Sequence, residues 1–236
     1  GVFPLHTAST QAGGAGTLFI VATPIGNLDD LTRRAERILA SVDLVAAEDT
    51  RHSGRLLQHL GISKPMWPLH DHNERERADE LLDRIAGGVS IALVSDAGTP
   101  LISDPGYILV RLARQRGIPV VPVPGACALV TALSAAGLPT DRFLFVGFLP
   151  SKAAGRGGEL ETLSRESATL VFYESPRRIA ALLADIRRVF GDDREVVLAR
   201  ELTKAFESWY HGPVVEVERA IEADAHAGKG EYVVMV

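Results

Sequence analysis

Five short stretches of the chain combine acidic, polar and small residues at spacings that a passive connection does not need. Ala47-Glu48-Asp49-Thr50-Arg51-His52 sets two adjacent acids before a basic pair. Such a set either caps a helix with solvated charges or positions a polar substrate and takes a proton from a hydroxyl. Leu69-His70-Asp71-His72-Asn73-Glu74 offers three readings: a metal site, a helix cap with surface polarity, or Asp71 or His70 as a proton acceptor in a cleft. No third ligand stands at a recognisable spacing from the His-x-His pair, so no metal is expected. Ser95-Asp96-Ala97-Gly98-Thr99-Pro100-Leu101-Ile102-Ser103-Asp104-Pro105-Gly106 packs two Asp, two Gly and two Pro into the tail of an apolar run. Small residues there let a ligand reach backbone N–H and C=O groups, and Asp96 could bind a hydroxyl or a cation. Pro122-Val123-Pro124-Gly125-Ala126-Cys127 repeats the idea at a helix start. Cys127 has no histidine or second cysteine beside it and reads as a packing residue rather than a nucleophile. Thr23-Pro24-Ile25-Gly26-Asn27 stands where a dinucleotide fold would carry G-x-G-x-x-G. It has one glycine and a proline instead, so NAD is not expected although Glu48 lies where a ribose-binding acid would fall; an ordinary Pro-Gly turn is the other reading. The chain has no P-loop, G-x-S-x-G elbow or H-E-x-x-H motif, which removes Walker-type phosphoryl transfer, serine hydrolysis and zinc proteolysis from the main candidates.

These stretches need elements to hold them, and the sequence alternates short β-branched runs with longer amphipathic ones, the pattern of an α/β fold with a largely parallel sheet. Strands are expected at 18–23, 42–47, 90–94 and 118–123, with a short one ending at 68–71. Helices are expected from Asn27, as a cap, through Ala40, over 51–60, from an Asn73–Glu76 capping box, after Pro105, and from Gly125 to near Gly137. After a linker at 138–141 the alternation restarts with strands at 143–148, 169–173, 195–199, 206–210 and 231–236. Helices are expected around 159–165, at 176–190 under a Ser175 cap, and at 214–223. The expected organisation is a flexible tail at 1–16, a first α/β domain at 17–137 and a second at 142–236. The chain stops on an apolar strand, so continuation beyond residue 236 is expected.

The 236 residues are 46% hydrophobic and 23% charged, ordinary for a globular protein. The formal net charge is −5, and neither half on either side of Gly125 has a basic excess, so any nucleic-acid contact must be local. One cysteine excludes a disulfide framework and suits a reducing cytoplasm. No apolar run approaches the ~18 residues of a membrane span.

Taken in order, the Pro24-Ile25-Gly26-Asn27-Leu28 turn, Glu48-Asp49-Thr50-Arg51, His70-Asp71-His72-Asn73-Glu74, the 95–106 loop, Pro124-Gly125, Phe172-Tyr173-Glu174-Ser175-Pro176 and Ala199-Arg200-Glu201-Leu202-Thr203-Lys204 resemble the ribosomal RNA small subunit methyltransferase I family of the tetrapyrrole methylase superfamily. The resemblance implies two α/β domains of the tetrapyrrole methylase type with S-adenosylmethionine in the interdomain cleft, and a cytoplasmic homodimer. It also implies methylation of the ribose 2′-hydroxyl of a cytidine in the decoding region of 16S rRNA, within the small ribosomal subunit. By matching position it implies cofactor contacts from Pro24, Ser95, Asp96, Ala97, Cys127, Ala128, Tyr173 and Leu202. A ribose hydroxyl needs a base or hydroxyl acceptor, for which the candidates are Asp71, Glu48 and Asp49, with Arg51 or Lys204 orienting phosphate. Lys152 precedes and Arg156 lies within a glycine-rich segment, 153–158, expected to be a mobile RNA-contacting loop, with a plain disordered connection as the other reading. Methylation of a precorrin-type tetrapyrrole and a non-catalytic cofactor-binding module are the rival readings.

Overall fold

The computed structural model describes residues 16–103 and 106–236. The expected tail, apart from Gly16, and residues 104–105 of the long loop lie outside the described residues. The described residues divide into two compact units, one of residues 16–24, 28–103 and 106–126 and the other of residues 25–27 with 127–236.

In the first unit five strands form a wholly parallel sheet: β1 (Leu18–Val21), β2 (Leu44–Ala47), β3 (Met66–Pro68), β4 (Ile91–Val94) and β5 (Val120–Val123), in the order β3-β2-β4-β1-β5. Every residue of β2 and β4 is buried, as the continuous apolar runs require when both faces are covered. Leu18, Leu44, Ile91 and Leu93 pack on one face against Leu81, Leu82 and Ile85 of α3 (Glu74–Ala86) and Leu109 of α4 (Tyr107–Gln115). Phe19, Val45, Ala92 and Val94 pack on the other against Leu39 of α1 (Arg33–Ser41) and Leu57 of α2 (Thr50–His59).

Two caps differ from the sequence expectation. Asn27 does not start α1; a 3-10 turn at Leu28–Asp30 intervenes, and Thr32 caps the helix, its Oγ1 accepting from Ala35 N at 3.0 Å. Asn73 makes no side-chain cap to α3, because its Oδ1 accepts from His70 N at 2.8 Å and its Nδ2 donates to Pro68 O at 3.0 Å. Glu74 turns inward, is buried, and accepts from Leu109 N, supplying the cap that Gly106 lacks at the start of α4.

The second unit has the sheet order β6-β7-β10-β8-β9, from β6 (Phe143–Phe148), β7 (Thr169–Glu174), β8 (Glu195–Arg200), β9 (Ser208–Pro213) and β10 (Tyr232–Met235). Only β6 and β7 run parallel. β10 inserts antiparallel between β7 and β8, and β9 pairs antiparallel with β8, so this sheet is mixed rather than largely parallel. One face is covered by α6 (Ala153–Thr162), α7 (Ile179–Phe190) and α8 (Val214–Ala223), through Leu160, Leu182, Leu183, Ile186 and Val217. α5 (Ala128–Ala136) packs against β10 and belongs to this unit, so the division falls at Ala126/Cys127 rather than near Pro139. The reason is visible at its first turn, where Leu129 N donates to the Tyr173 hydroxyl at 3.0 Å.

The glycine-rich segment expected as a mobile loop is the first half of α6. Arg156 explains the order: it is buried, its Nε donates to Asp185 Oδ2 at 2.5 Å, and its Nη1 donates to Ser151 O at 3.2 Å. Its guanidinium is thereby held inside the second unit, and the expectation that Arg156 contacts RNA is corrected. α7 likewise begins at Ile179 rather than Pro176, after a turn closed by Arg178 N on Ser175 O.

Candidate active site

In the first unit the chain leaves β1 toward β2 on one side of the sheet order and leaves β4 toward β5 on the other, which makes the β1/β4 boundary the topological switch point, where open α/β sheets hold their ligands. The loops at that end are clamped together. Thr23 and Gly98 form an isolated bridge, with Thr23 N donating to Gly98 O at 3.0 Å and Gly98 N to Thr23 O at 3.1 Å. Thr99 Oγ1 donates to Ala126 O at 3.0 Å, and the buried Ser95 hydroxyl holds Ala97 O and Gly98 O, both at 3.1 Å. Gly125 is required by contact: a Cβ there would lie 2.8 Å from the Ala22 Cβ. The result is a rigid floor of Ala22, Thr23, Ala97, Gly98 and Gly125. Thr23 Oγ1 is buried within it and has no hydrogen-bond partner among the described residues. Leu101 and Ser103, both non-glycine residues, sit at φ 73° and 64°, backbone strain of the kind that collects at ligand sites.

The acids gather beside this floor, at the ends of β2, β3 and β4. Asp49 N donates to Asp96 Oδ1 at 3.1 Å, tying the second motif to the fourth. Glu48 is half-buried; burial first, then the neighbouring Asp96 and Asp71 carboxylates, push its pKa above the usual glutamate range, with His70 opposing. Asp49 does different work. Its Oδ1 accepts from Arg51 N at 3.0 Å and His52 N at 3.4 Å, capping α2, and those two backbone bonds hold its pKa below the usual range. A carboxylate so occupied is a poor base, which leaves Glu48 and Asp71 of the three catalytic candidates. Arg51 is exposed on the first turn of α2, next to this cap.

In the second unit the carboxyl ends of β6, β7 and β8 share one end of the sheet with the start of α5 and residues 25–27. Tyr173 and Cys127–Ala128 meet there. Cys127 offers α5 no side-chain cap, and the Tyr173 hydroxyl takes that role while its ring stands edge-on to Phe145 and Phe148 at 5.0 and 5.8 Å. Leu202 is buried in a segment where Glu201 and Thr203 have φ of 53° and 67°. Lys204 lies along Gly26, where a Cβ would sit 2.5 Å from its Cγ, and its Nζ pairs with Glu201 Oε2 at 3.2 Å. Asn27 Nδ2 donates to Thr203 O at 3.3 Å. Lys152 is exposed at the start of α6. Pro24, Glu48, Asp49, Arg51, Asp71, Ser95, Asp96 and Ala97 thus fall in the first unit and Cys127, Ala128, Lys152, Tyr173, Leu202 and Lys204 in the second, while the Arg156 side chain is buried.

Thr23, Glu201 and Thr203 belong to these ends and stand in the motifs read above without having been singled out, since neither an orphaned hydroxyl nor a left-handed non-glycine residue is written in residue type. Tyr173→Phe removes the α5 cap while keeping the ring, so thermal unfolding is expected to show a loss of about 1 kcal/mol. An unchanged midpoint would mean that this hydroxyl does not hold α5.

Residues 17–218 match the model of the tetrapyrrole (corrin/porphyrin) methylases. The chain is 59% identical over 222 residues to the ribosomal RNA small subunit methyltransferase I of Pseudomonas aeruginosa, covering 94% of this chain and 79% of that one. It is 56% identical over 221 residues to the protein of the same name from Escherichia coli O157:H7, covering 94% and 77%. Among solved structures, uroporphyrin-III C-methyltransferase from Thermus thermophilus complexed with S-adenosylhomocysteine superposes with a TM-score of 0.63 at 21% identity, over 93% of this chain and 97% of that one. A diphthine synthase superposes with a TM-score of 0.72 at 14% identity, over 94% and 89%.

Proposed function

The chain belongs to the tetrapyrrole methylase family, and from that premise we propose that it is an S-adenosylmethionine-dependent enzyme that methylates the ribose 2′-hydroxyl of a cytidine in the decoding region of 16S rRNA. The observation that carries the reading is the half-buried Glu48, its pKa raised by burial, set with Asp71 and Asp96 beside a floor of small residues at the switch point. The name shared by the relatives supports RNA over a tetrapyrrole as acceptor.

The residues present fit the cofactor. A nucleoside needs a close approach to backbone and an unfilled polar partner, which the small floor and the orphaned Thr23 hydroxyl provide. A sulfonium is cationic and suits the carboxylates nearby. Pro24, Ser95, Asp96 and Ala97 of the first unit and Cys127, Ala128, Tyr173 and Leu202 of the second are the contacts proposed. When bound, the cofactor supplies an electrophilic methyl group for in-line displacement.

The protein's own part is to position and to take a proton. A ribose hydroxyl is a weak nucleophile while protonated, and Glu48, with its raised proton affinity, accepts that proton. Asp71 accepts a hydrogen bond from the same ribose and sustains the Glu48 pKa. Arg51, Lys152 and Lys204 orient phosphates; Lys204 must share its charge with Glu201. The partner is 16S rRNA within the small subunit, and the active form is a cytoplasmic homodimer, for which the exposed Phe143 and Leu144 on the edge strand β6 offer an apolar surface. No helix among the described residues is long and apolar enough to cross a membrane.

The test offers labelled S-adenosylmethionine with small ribosomal subunits, free 16S rRNA and a precorrin in parallel. Label is expected in the RNA; label in the precorrin alone would replace this reading with the tetrapyrrole one.

A further inference from the structure

Phe206 is 80% exposed, the most exposed of the large hydrophobic side chains described. Single exposed hydrophobics are common, but this one is held out by a built turn. Glu201 and Thr203 on its N-terminal side adopt left-handed backbone without being glycine. The turn is then closed on both sides of the phenylalanine: Thr203 N donates to Glu207 Oε1 at 2.8 Å, Glu207 N to Lys204 O at 3.2 Å, and Ser208 Oγ to Phe206 O at 3.0 Å. Glu207 is further fixed by Trp209 Nε1 at 3.2 Å. Strained backbone persists only where its surroundings over-determine it, and here the surroundings fix the main chain that carries one exposed aromatic ring. The ring lies four residues from Leu202 and two from Lys204, on the turn that carries one proposed cofactor contact and one proposed phosphate contact.

We propose that Phe206 is a substrate-binding residue on which an unpaired base of the RNA stacks. The inference rests on the RNA reading of the site above. An acidic chain cannot grip RNA by broad electrostatics, whereas an aromatic face on a pre-ordered turn holds an unstacked base independently of net charge. Lys204, two positions away on the same turn, adds a cation, shared with Glu201, that suits a nucleotide better than an apolar protein surface. Stacking also explains a ring where a branched aliphatic side chain would satisfy mere hydrophobic contact.

The experiment compares wild type, Phe206→Ala, Phe206→Leu and Phe206→Trp in methyl transfer to small ribosomal subunits, with S-adenosylhomocysteine affinity and sedimentation measured on each. The expected result is a KM raised about tenfold or more in the alanine and leucine variants, with S-adenosylhomocysteine affinity and oligomeric state unchanged. The tryptophan variant should keep a near wild-type KM, and its added indole fluorescence should be quenched by the substrate RNA. A KM within twofold of wild type for Phe206→Ala, or full activity in Phe206→Leu, would overturn the stacking role while leaving the RNA activity standing. A change in sedimentation would overturn it too, by placing Phe206 between copies of the chain. Absence of transfer to any RNA by wild type would instead overturn the RNA reading itself, and the stacking role with it.

Discussion

Glu48→Gln is expected to lower kcat for methyl transfer by about 10² to 10⁴-fold, the range for removal of a positioned proton acceptor, while S-adenosylhomocysteine affinity stays within a few fold. Glutamine keeps the shape and hydrogen bonding of the side chain but cannot take the ribose proton. The pH profile separates this role from a structural one. A proton acceptor at Glu48 must be ionised to act, so the rate is expected to rise with pH through its pKa. Burial and the Asp96 and Asp71 charges put that pKa above the ordinary glutamate range, and the acid limb of wild type should lie there as well. Asp71→Asn removes a negative charge that opposes Glu48 ionisation, so it should move the limb to lower pH while reducing kcat. A limb that stayed in place in Asp71→Asn, or a Glu48→Gln enzyme of wild-type kcat, would take Glu48 out of the proton path.

Arg156→Ala is expected to destabilise the protein by about 3 kcal/mol, because it removes the buried partner of Asp185 and leaves that carboxylate beside a vacated site with only the longer pair to the exposed Arg188, at 3.6 Å. For a chain of this size the thermal midpoint should fall by roughly 6–12 °C. Replacing both partners with well-packed apolar residues should recover most of the loss, since an ion pair this buried contributes little beyond what its removal exposes. Affinity for RNA should not change in whatever fraction remains folded. Lys152→Ala, exposed at the start of the same helix, should behave in the opposite way, with unchanged stability, weaker RNA binding and a salt slope smaller by about 1. Loss of RNA affinity without loss of stability in Arg156→Ala would restore the arginine to the RNA surface.

The contrast between these two residues shows how far the sequence can be read. Lys152 and Arg156 stand four apart in a segment with three glycines, and composition favours a loop; the Arg156 bond to Asp185, 29 positions away, and the burial of Leu160 hold the segment as a helix. The strands of the first unit were legible because continuous apolar runs such as those of β2 and β4 mark strands buried on both faces. The second sheet was less so, because insertion of the last strand between β7 and β8 is a long-range pairing with no local mark. At the site, the turns after β1, β2 and β4 announced themselves through small and acidic residues where main chain normally needs neither. What those acids do was not legible: Asp49 and Glu48 are neighbours of like chemistry, yet backbone bonds occupy one while burial raises the proton affinity of the other. Charge gives a further example. Arg116, Arg156, Arg178, Arg187, Arg188 and Lys204 are all drawn into ion pairs within the fold, so the electrostatic grip available for RNA is smaller than the residue count suggests.

The position of the transferred methyl group distinguishes ribose from base methylation most directly. Small ribosomal subunits labelled by the enzyme from methyl-labelled S-adenosylmethionine are digested completely in alkali, which cleaves each phosphodiester through its free 2′-hydroxyl. Transfer to the ribose blocks that cleavage, and the label should appear in an alkali-stable dinucleotide beginning with cytidine. Label released in a mononucleotide would place the methyl on a base and contradict the account.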